Sequence, residues 1–421
     1  MKILHVTKRY PNATGGDAFV VSGLEREQRA AGHDVVILTS RNAEISDAPH
    51  VIKFGAALTA QEIDVLNARR VLTMAALAVR APALLRRVRP DVIHVHTVDL
   101  GVALSLAARM LRIPTVITLH GTTVGKATAP KAKRLLESAL LVAGRYRRVI
   151  SMDPSSFPAL RSLRLGRRLA YVPNGIDVTD LAVHEEPTPV AAAAAAAART
   201  VLFVGRLEPI KGLVYLLSAF ATVVRQVPDA RLELVGDGAQ REDLAALAQE
   251  LGIAESVHFV GRRDRAQLSR GYREAAVFVL PSLHEGFPLV LLEAWAYGAP
   301  VVTTRVGAMA DVCVSGVDSL VVSPADVGEL ATAISQVLRD PGVAEKIAAG
   351  GQARMAAEGE FTPSAVAAGV AQVYELALAE RRPAWAGADG TGGGAGTVQR
   401  SRPGPVEPAR ASGASGVSGR R

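Results

Sequence analysis

The stretch TVLFVGRLEPIKG occupies positions 200–212. A short apolar run, Val201 to Val204, stops at Gly205. A loop carrying Arg206 and Lys211 follows and closes on Gly212. A continuous Val/Leu/Phe run of this length suits a parallel strand buried on both faces. The same pattern recurs downstream in ARLELVGDG (230–238), SVHFVGR (256–262), AAVFVLPS (275–282), APVVTTRVG (299–307) and DSLVVSP (318–324). Upstream it occurs in KILHVT (2–7), HDVVILTS (33–40), DVIHVHT (91–97), PTVITLHG (114–121) and RVISMD (148–153), with an amphipathic stretch near 17–31. Strands that alternate with helices predict doubly wound parallel sheets. The two series are separated by EEPTPVAAAAAAAART (185–200), a Pro- and Ala-rich break.

Two α/β domains are therefore expected, with ligands bound beyond the carboxyl ends of their strands and a cleft between the sheets. The expected limits are 1–184 for the first domain, 185–199 for a linker and 200–362 for the second domain. A helix is expected over 363–380, opened by Pro363 at a favoured first-turn position. Residues 381–421 are rich in Gly, Ala, Ser, Pro and Arg and read as a disordered tail.

Composition narrows the class. The chain has 421 residues, of which 49% are hydrophobic, so two cores are within reach. Aromatics are scarce, and the cores are expected to rely on Val, Leu, Ile and Ala. The single cysteine, Cys313, excludes an intrachain disulfide and a paired-cysteine metal site. No opening secretory pattern and no apolar run of membrane-spanning length is visible. A cytoplasmic location is the expectation. The net charge of +8 is uneven. Residues 1–190 hold roughly 26 Lys and Arg against 16 Asp and Glu; residues 191–380 hold roughly 15 against 22. The basic first half suits an acidic partner such as anionic lipid headgroups; a generally solvated basic surface is the plainer reading.

The loops after the strands carry the chemistry. Arg206 and Lys211, beside Gly205 and Gly212, suit a diphosphate, a guanidinium fork next to a point charge. A surface loop with solvated cations is the alternative. NATGGDAFV (12–20) places Gly15 and Gly16 before the first helix, where free N–H groups meet an anion or a simple tight turn forms. His120 in TLHGT can donate to a sugar hydroxyl or leaving phosphate, or be satisfied by a loop carbonyl. His94 and His96 share one strand face without a carboxylate or thiol cluster; His94 reads as structural and His96 stays open. Arg262 is placed to line the rim of a nucleotide pocket. In PSLHEGFPLVLLEAWAYG (281–298), Gly286 and Phe287 precede a helix opened by Pro288, so N–H groups and the helix dipole point into the cleft. Glu285 and Glu293 bracket an apolar run, where a buried carboxylate needs a partner.

These segments appear in an order that resembles the retaining glycosyltransferases of family four: the Gly pair after the first strand, VPNGID (172–177), VGRLEPIKG (204–212), LVGDG (234–238), VHFVGR (257–262) and the glutamate pair with seven intervening residues. The resemblance covers almost all of residues 1–380. It implies the GT-B architecture, two facing doubly wound parallel-sheet Rossmann-like domains with an inter-domain cleft. It also implies a nucleotide-diphosphate-sugar co-substrate and no metal. By that resemblance Arg206 and Lys211 bind the diphosphate, Glu293 the ribose diol and Glu285 the sugar hydroxyls. His120 lies near the donor sugar. Gly16 approaches the phosphates, and the N–H groups of Gly286, Phe287 and Leu289 lie near sugar and phosphates. The helix at 363–380 matches a crossing helix that packs back on the first domain. The glutamates' partners are thus expected to be hydroxyls rather than protein cations.

The leading expectation is a metal-independent retaining hexosyltransferase acting on a hydroxyl acceptor in cell-surface polysaccharide or glycolipid synthesis. The acceptor is unknown; a lipid-linked one, with peripheral contact to an anionic membrane at its inner face, fits the basic first domain. A nucleotide-sugar epimerase or a phosphorylase on the same fold is the second reading. A non-catalytic anionic-ligand-binding protein is the third. Nucleic acid is disfavoured, because aromatics for base stacking are not interleaved with the basic residues.

Overall fold

A computed structural model describes residues 1–8, 10, 16–41, 48–55, 68–125, 129–177, 199–356 and 359–380. Most of the segment expected as a linker, and the whole of 381–421, lie outside the described residues.

Two parallel sheets carry the chain. The first has seven strands: β1 (Lys2–Thr7), β2 (Asp34–Ser40), β3 (Val51–Phe54), β4 (Val92–Val95), β5 (Thr115–Leu119), β6 (Arg148–Ser151) and β7 (Leu169–Tyr171). Their order is β3-β2-β1-β4-β5-β6-β7. The second has six: β8 (Thr200–Val204), β9 (Arg231–Val235), β10 (Val257–Gly261), β11 (Val277–Leu280), β12 (Val301–Thr304) and β13 (Leu320–Val322), in the order β10-β9-β8-β11-β12-β13. Within each sheet the direction of winding reverses once, between β1 and β4 and between β8 and β11. Doubly wound sheets bind ligands in the crevice at that reversal.

The apolar runs form strands because helices cover both sheet faces. All of VIHV in β4 and VFVL in β11 is buried. One face of the first sheet packs on the helices Ala68–Val88, Val98–Met110 and Lys131–Gly144, with Leu77, Leu85, Leu104 and Leu141 in its core. The other face takes the helix Gly16–Ala30 and the last described helix, Pro363–Ala379. That last helix begins where Thr362 Oγ1 accepts from Ala365 N at 3.2 Å. It turns Val366, Val370, Val373, Tyr374 and Ala377 onto Ile3, Val21, Leu24 and Val92, although the whole second sheet, from Thr200 to Val322, precedes it in the chain.

Three features differ from the expectation. The edge strands β3 and β7 were not foreseen, and both are only half-buried, so their apolar pattern is weak. Aromatics contribute more than their number suggests: Trp295, Tyr146, Tyr272, Phe203, Phe220 and Phe278 are among the largest fully buried side chains. Pro288 is not inside the helix but occupies its N-cap, with Leu289 as the first helical residue. Among the described residues, no helix is long and apolar enough to cross a membrane.

Candidate active site

The winding reversal of the second sheet brings the loops after β8 and β11 together. The β8 loop ends in a 3-10 turn, Pro209–Lys211, and Gly212 follows at φ 68°. A Cβ on Gly212 would lie 2.2 Å from the carbonyl oxygen of Pro281, so only glycine lets the two loops touch. A backbone bond from Leu283 N to Ile210 O, 2.9 Å, stitches them. The result places the Lys211 ammonium on Glu285 Oε1, which also accepts from Ser282 Oγ at 2.7 Å. The lysine and glutamate side chains are 14% and 11% exposed. The expectation that protein cations would not partner the two glutamates is thus corrected for Glu285. Lys211 and Glu285 are 74 residues apart in sequence, and the pairing comes from strand adjacency.

Glu293 lies inside the helix Leu289–Ala296 and accepts from the Tyr272 hydroxyl at 2.8 Å. Burial holds its carboxyl above the usual carboxylate range; the Tyr272 hydrogen bond and Arg265 act in the opposite direction. Tyr272 is itself fully buried and stacks on Tyr297, with ring centroids 5.6 Å apart. The segment therefore answers its charge problem twice, with an ammonium at Glu285 and a phenol at Glu293.

The first sheet faces this cluster through the loop after β5. A Cβ on Gly286 would lie 3.0 Å from His120 O, so the two domains meet here with little space between them. Asn174, in the VPNGID segment, donates its amide to Phe287 O at 3.1 Å and pins the same turn. The Phe287 ring is buried, 5.7 Å from the Phe361 ring centroid, and serves the core; what it offers the cleft is backbone. Behind His120, Glu137 accepts from Thr122 Oγ1 at 2.7 Å and from Thr123 N at 2.9 Å, fixing the exit of the loop.

His120, Gly286, Lys211 and Glu285 are brought together. Leu289 begins the adjoining helix, and Gly16 opens the first helix of the chain. Arg206 is 70% exposed and pairs with Glu208 at 2.5 Å. Arg262 is exposed at the end of β10, the edge strand, two strands from β8, and stands apart from the cluster.

His94 and His96 do not stand alone. His5 in β1 is in register with His94, and ring nitrogens of all three lie within 4.8 Å of one another. This grouping has the donor types of a metal site, yet each ring nitrogen already has a hydrogen-bond partner. His5 takes His96 and Gln28, His94 takes Tyr374 and Thr118, and His96 takes His5 and His120. Burial lowers His5 to about 4 and His94 and His96 well below the usual imidazole range, so the rings are neutral. His5, Gln28, Tyr374, Asn174, Ser282 and Tyr272 were not singled out from sequence. The readable signal was a histidine in each of two neighbouring strand runs, KILHVT and DVIHVHT.

Residues 14–180 match the model for glycosyltransferase family 4, and residues 190–354 match that for glycosyl transferases group 1. The glycogen synthase of Mycobacterium tuberculosis is 30% identical over 414 residues, which cover 91% of this chain and 97% of that protein. The D-inositol 3-phosphate glycosyltransferase of Thermobispora bispora is 32% identical over 324 residues, covering 71% and 73%. Among solved structures, the sucrose-phosphate synthase from Thermosynechococcus elongatus superposes with a TM-score of 0.73 at 26% identity, covering 90% of this chain and 99% of that one. With its two parallel sheets meeting at His120 and Gly286, and relatives aligned along nearly its whole length, the chain belongs to the family-four (group 1) glycosyltransferases, a retaining family of GT-B fold that draws its sugar from a nucleotide-sugar donor.

Proposed function

We propose that this protein transfers a hexose, with retention, from a nucleotide-diphosphate sugar to a hydroxyl acceptor used in cell-surface polysaccharide or glycolipid synthesis. The observation that carries the site assignment is the Lys211–Glu285–Ser282 cluster at the winding reversal of the second sheet, facing His120 across the cleft. The domain limits we assign are 1–184 and 200–362, joined by 185–199, with 363–380 crossing back and 381–421 as a tail.

Charge development sets the roles. Cleavage of the anomeric bond builds negative charge on the leaving diphosphate and positive charge on the sugar. Lys211, Arg206 and the N-terminus of the helix at Leu289 stabilise the former without a metal. Arg206 swings from exposed solvent, so its contribution begins when donor binds. Glu285 receives sugar hydroxyls, and its negative charge lies on the side where the oxocarbenium-like centre forms. Glu293 receives the ribose diol. The phosphate oxygen that leaves takes the acceptor's proton in a same-face attack, since both glutamates are occupied in holding the donor.

The acceptor side is basic and greasy. On the outer surface of the helices Ala68–Val88, Val98–Met110 and Lys131–Gly144, Leu72, Val79, Leu106, Met110 and Leu135 are exposed among Arg80, Arg86, Lys131 and Lys133. That mixture supports a lipid-linked acceptor and peripheral attachment at the inner face of the plasma membrane, from the cytoplasm. Sedimentation with vesicles containing anionic lipid, but not with neutral vesicles, is the expected result.

A thermal-shift panel of UDP, GDP and ADP sugars, followed by mass analysis of products from a mixed acceptor pool, tests the activity. Stabilisation by one nucleotide sugar and a hexose mass increment on an acceptor are expected. Unchanged transfer by Glu285→Ala would overturn the role given to that residue.

A further inference from the structure

The end of the first sheet remote from the cleft carries a basic cavity for which sugar transfer has no evident use. Its volume is about 340 Å³, and it lies where the helices Val98–Met110 and Lys131–Gly144 end. Arg109, Arg112, Arg145 and Arg147 line it, beside the apolar Ile113 and Pro114. Thr115, the first residue of β5, also reaches it, whereas His120 follows the last residue of that strand. At about 3.3 Å per strand residue, the cavity and the cleft stand roughly 16 Å apart.

Guanidinium groups gathered around one hollow repel one another unless an anion stands among them. Among the described residues, no acidic side chain lines the cavity, and Arg109, Arg112 and Arg145 have no ion pair or side-chain hydrogen bond. Elsewhere arginines find acids, as in Arg26–Asp177 and Arg270–Glu274. A helix carboxyl end favours a nearby cation, which accounts for one at each helix. Here each helix end supplies two: Arg109 and Arg112 at the first, Arg145 and Arg147 at the second. The backbone that presents them is tied down. Arg112 N donates to Arg109 O at 3.0 Å and Ile113 N to Ala108 O at 2.8 Å, which closes the first helix. Arg147 N donates to Thr115 O at 2.8 Å, and the buried Tyr146 ring fills the space beside Gly144.

We propose that this cavity is a second anion site, separate from the donor cleft, which takes a soluble metabolite carrying two or more phosphate groups. Its volume is at the lower end of those that hold small molecules. Guanidinium forks match phosphate oxygens in pairs, and two helix ends with two forks each suit two phosphates. The chain beyond Glu380 does not fit the cavity, because residues 381–421 hold seven Arg against two acidic side chains. Glu380, at the end of the crossing helix, competes with the anion for Arg147. It lies 3.8 Å from Arg147 and is held more closely by Arg148, at 2.6 Å. Arg147 therefore turns to the ligand while Arg148 keeps the carboxylate.

The backbone supplies a clean substitution. Arg112 and Arg145 sit at φ 54° and 47°, in the left-handed region where glycine fits best. Arg112→Gly combined with Arg145→Gly thus removes two charges from the cavity and suits the fold. Glu380→Gln works in the opposite sense, since it removes the competitor for Arg147.

Calorimetric titration with inorganic pyrophosphate at low salt tests the site. Pyrophosphate also suits the proposed donor site, so two equivalents are expected to bind the unsubstituted protein. Lys211→Ala is expected to lose one of them and the double glycine variant the other, with affinity at the remote site weakened at least about tenfold. Glu380→Gln is expected to tighten that site by about two- to threefold. The double glycine variant without ligand is expected to melt no lower than the unsubstituted protein. Pyrophosphate binding untouched by the double substitution overturns the proposal. So does a variant that loses binding and also melts lower, because the arginines would then serve the fold. Vesicles of phosphatidylglycerol form the other arm: capture that needs Arg112 and Arg145, with no heat from pyrophosphate at the remote site, would assign the cavity to a lipid headgroup and overturn the soluble ligand. An equivalent that persists in Lys211→Ala and vanishes with the two arginines supports the site whether or not the donor reading stands.

Discussion

Lys211 and Glu285 meet in a nearly buried ion pair that joins the loop after β8 to the loop after β11. Ser282 adds a hydroxyl to the same carboxylate oxygen. Two charges held this way cost several kcal/mol to desolvate and recover it only through close geometry. The pair is thus weak evidence for stability and stronger evidence for a prearranged charge at the point where we propose that the diphosphate is held. Donor arrival would exchange one anionic partner of Lys211 for another, which leaves the ammonium paired in both states.

Removing one member leaves the other nearly buried without its countercharge. Lys211→Ala is expected to lower transfer by about 10²- to 10³-fold and to destabilise the fold by about 3 kcal/mol. Lys211→Ala combined with Glu285→Ala is expected to be less destabilised than the sum of the single variants. Urea unfolding of the three variants measures the coupling; strict additivity would show that the pair is not an energetic unit.

Gly212 permits that pairing, because a Cβ there would meet Pro281 O at 2.2 Å on a backbone at φ 68°. Gly212→Ala is expected to cost at least about 2 kcal/mol, from left-handed strain plus displacement of the β11 loop. Gly252 offers the control, with a similar φ of 69° and nothing within 4 Å. Gly252→Ala is expected to cost only about 1 kcal/mol. Melting temperatures of the two variants give the comparison, and equal shifts would refute the clash.

Acid should loosen the first domain. His5, His94 and His96 have folded-state pKa values below the unfolded value of 6.5, because burial disfavours the imidazolium. The unfolded chain therefore binds more protons once the pH drops below that value. The stability is fully present above pH 6.5 and is lost as pH falls from there toward about 4, the folded value of His5. For His5 alone the loss by pH 5 is about 2 kcal/mol. His94 and His96 add in the same direction. Urea midpoints measured between pH 7.5 and pH 5 should fall steeply, and less so in His5→Asn.

Tyr272 donates to a buried carboxylate that the nucleotide ribose is proposed to need. Tyr272→Phe removes a bond that counteracts the upward push of burial on Glu293, so the carboxyl rises further. Nucleotide affinity is expected to weaken by about tenfold, the scale of one charge-assisted hydrogen bond. Calorimetric titration with the nucleotide of the identified donor measures it; unchanged affinity would detach Glu293 from the ribose.

Much of the fold was legible because parallel strands buried on both faces appear as short uninterrupted apolar runs, as in VIHV and VFVL. The half-buried edges β3 and β7 lack that signature and escaped it. At the site, His120, Lys211 and Glu285 were legible as polar groups just past strand ends. Their pairing was not, because 74 residues separate Lys211 from Glu285 and only the β8–β11 adjacency joins them. Gln28 and Tyr374 carried no signal at all. Each is an ordinary polar residue on a helix whose partners, His5 and His94, sit in strands remote in sequence beneath it.

The sequence by itself determined two doubly wound sheets, the loops in which the chemistry gathers, and the sign of the charges there. Those properties are local, since hydrophobic period and strand-end position are read within a dozen residues. Only the tertiary structure decided which charges neutralise one another and which polar side chains line up behind His120. Hydrogen bonds and ion pairs depend on distances of a few ångströms between atoms remote in the chain, and the winding order of the sheets is what sets those distances.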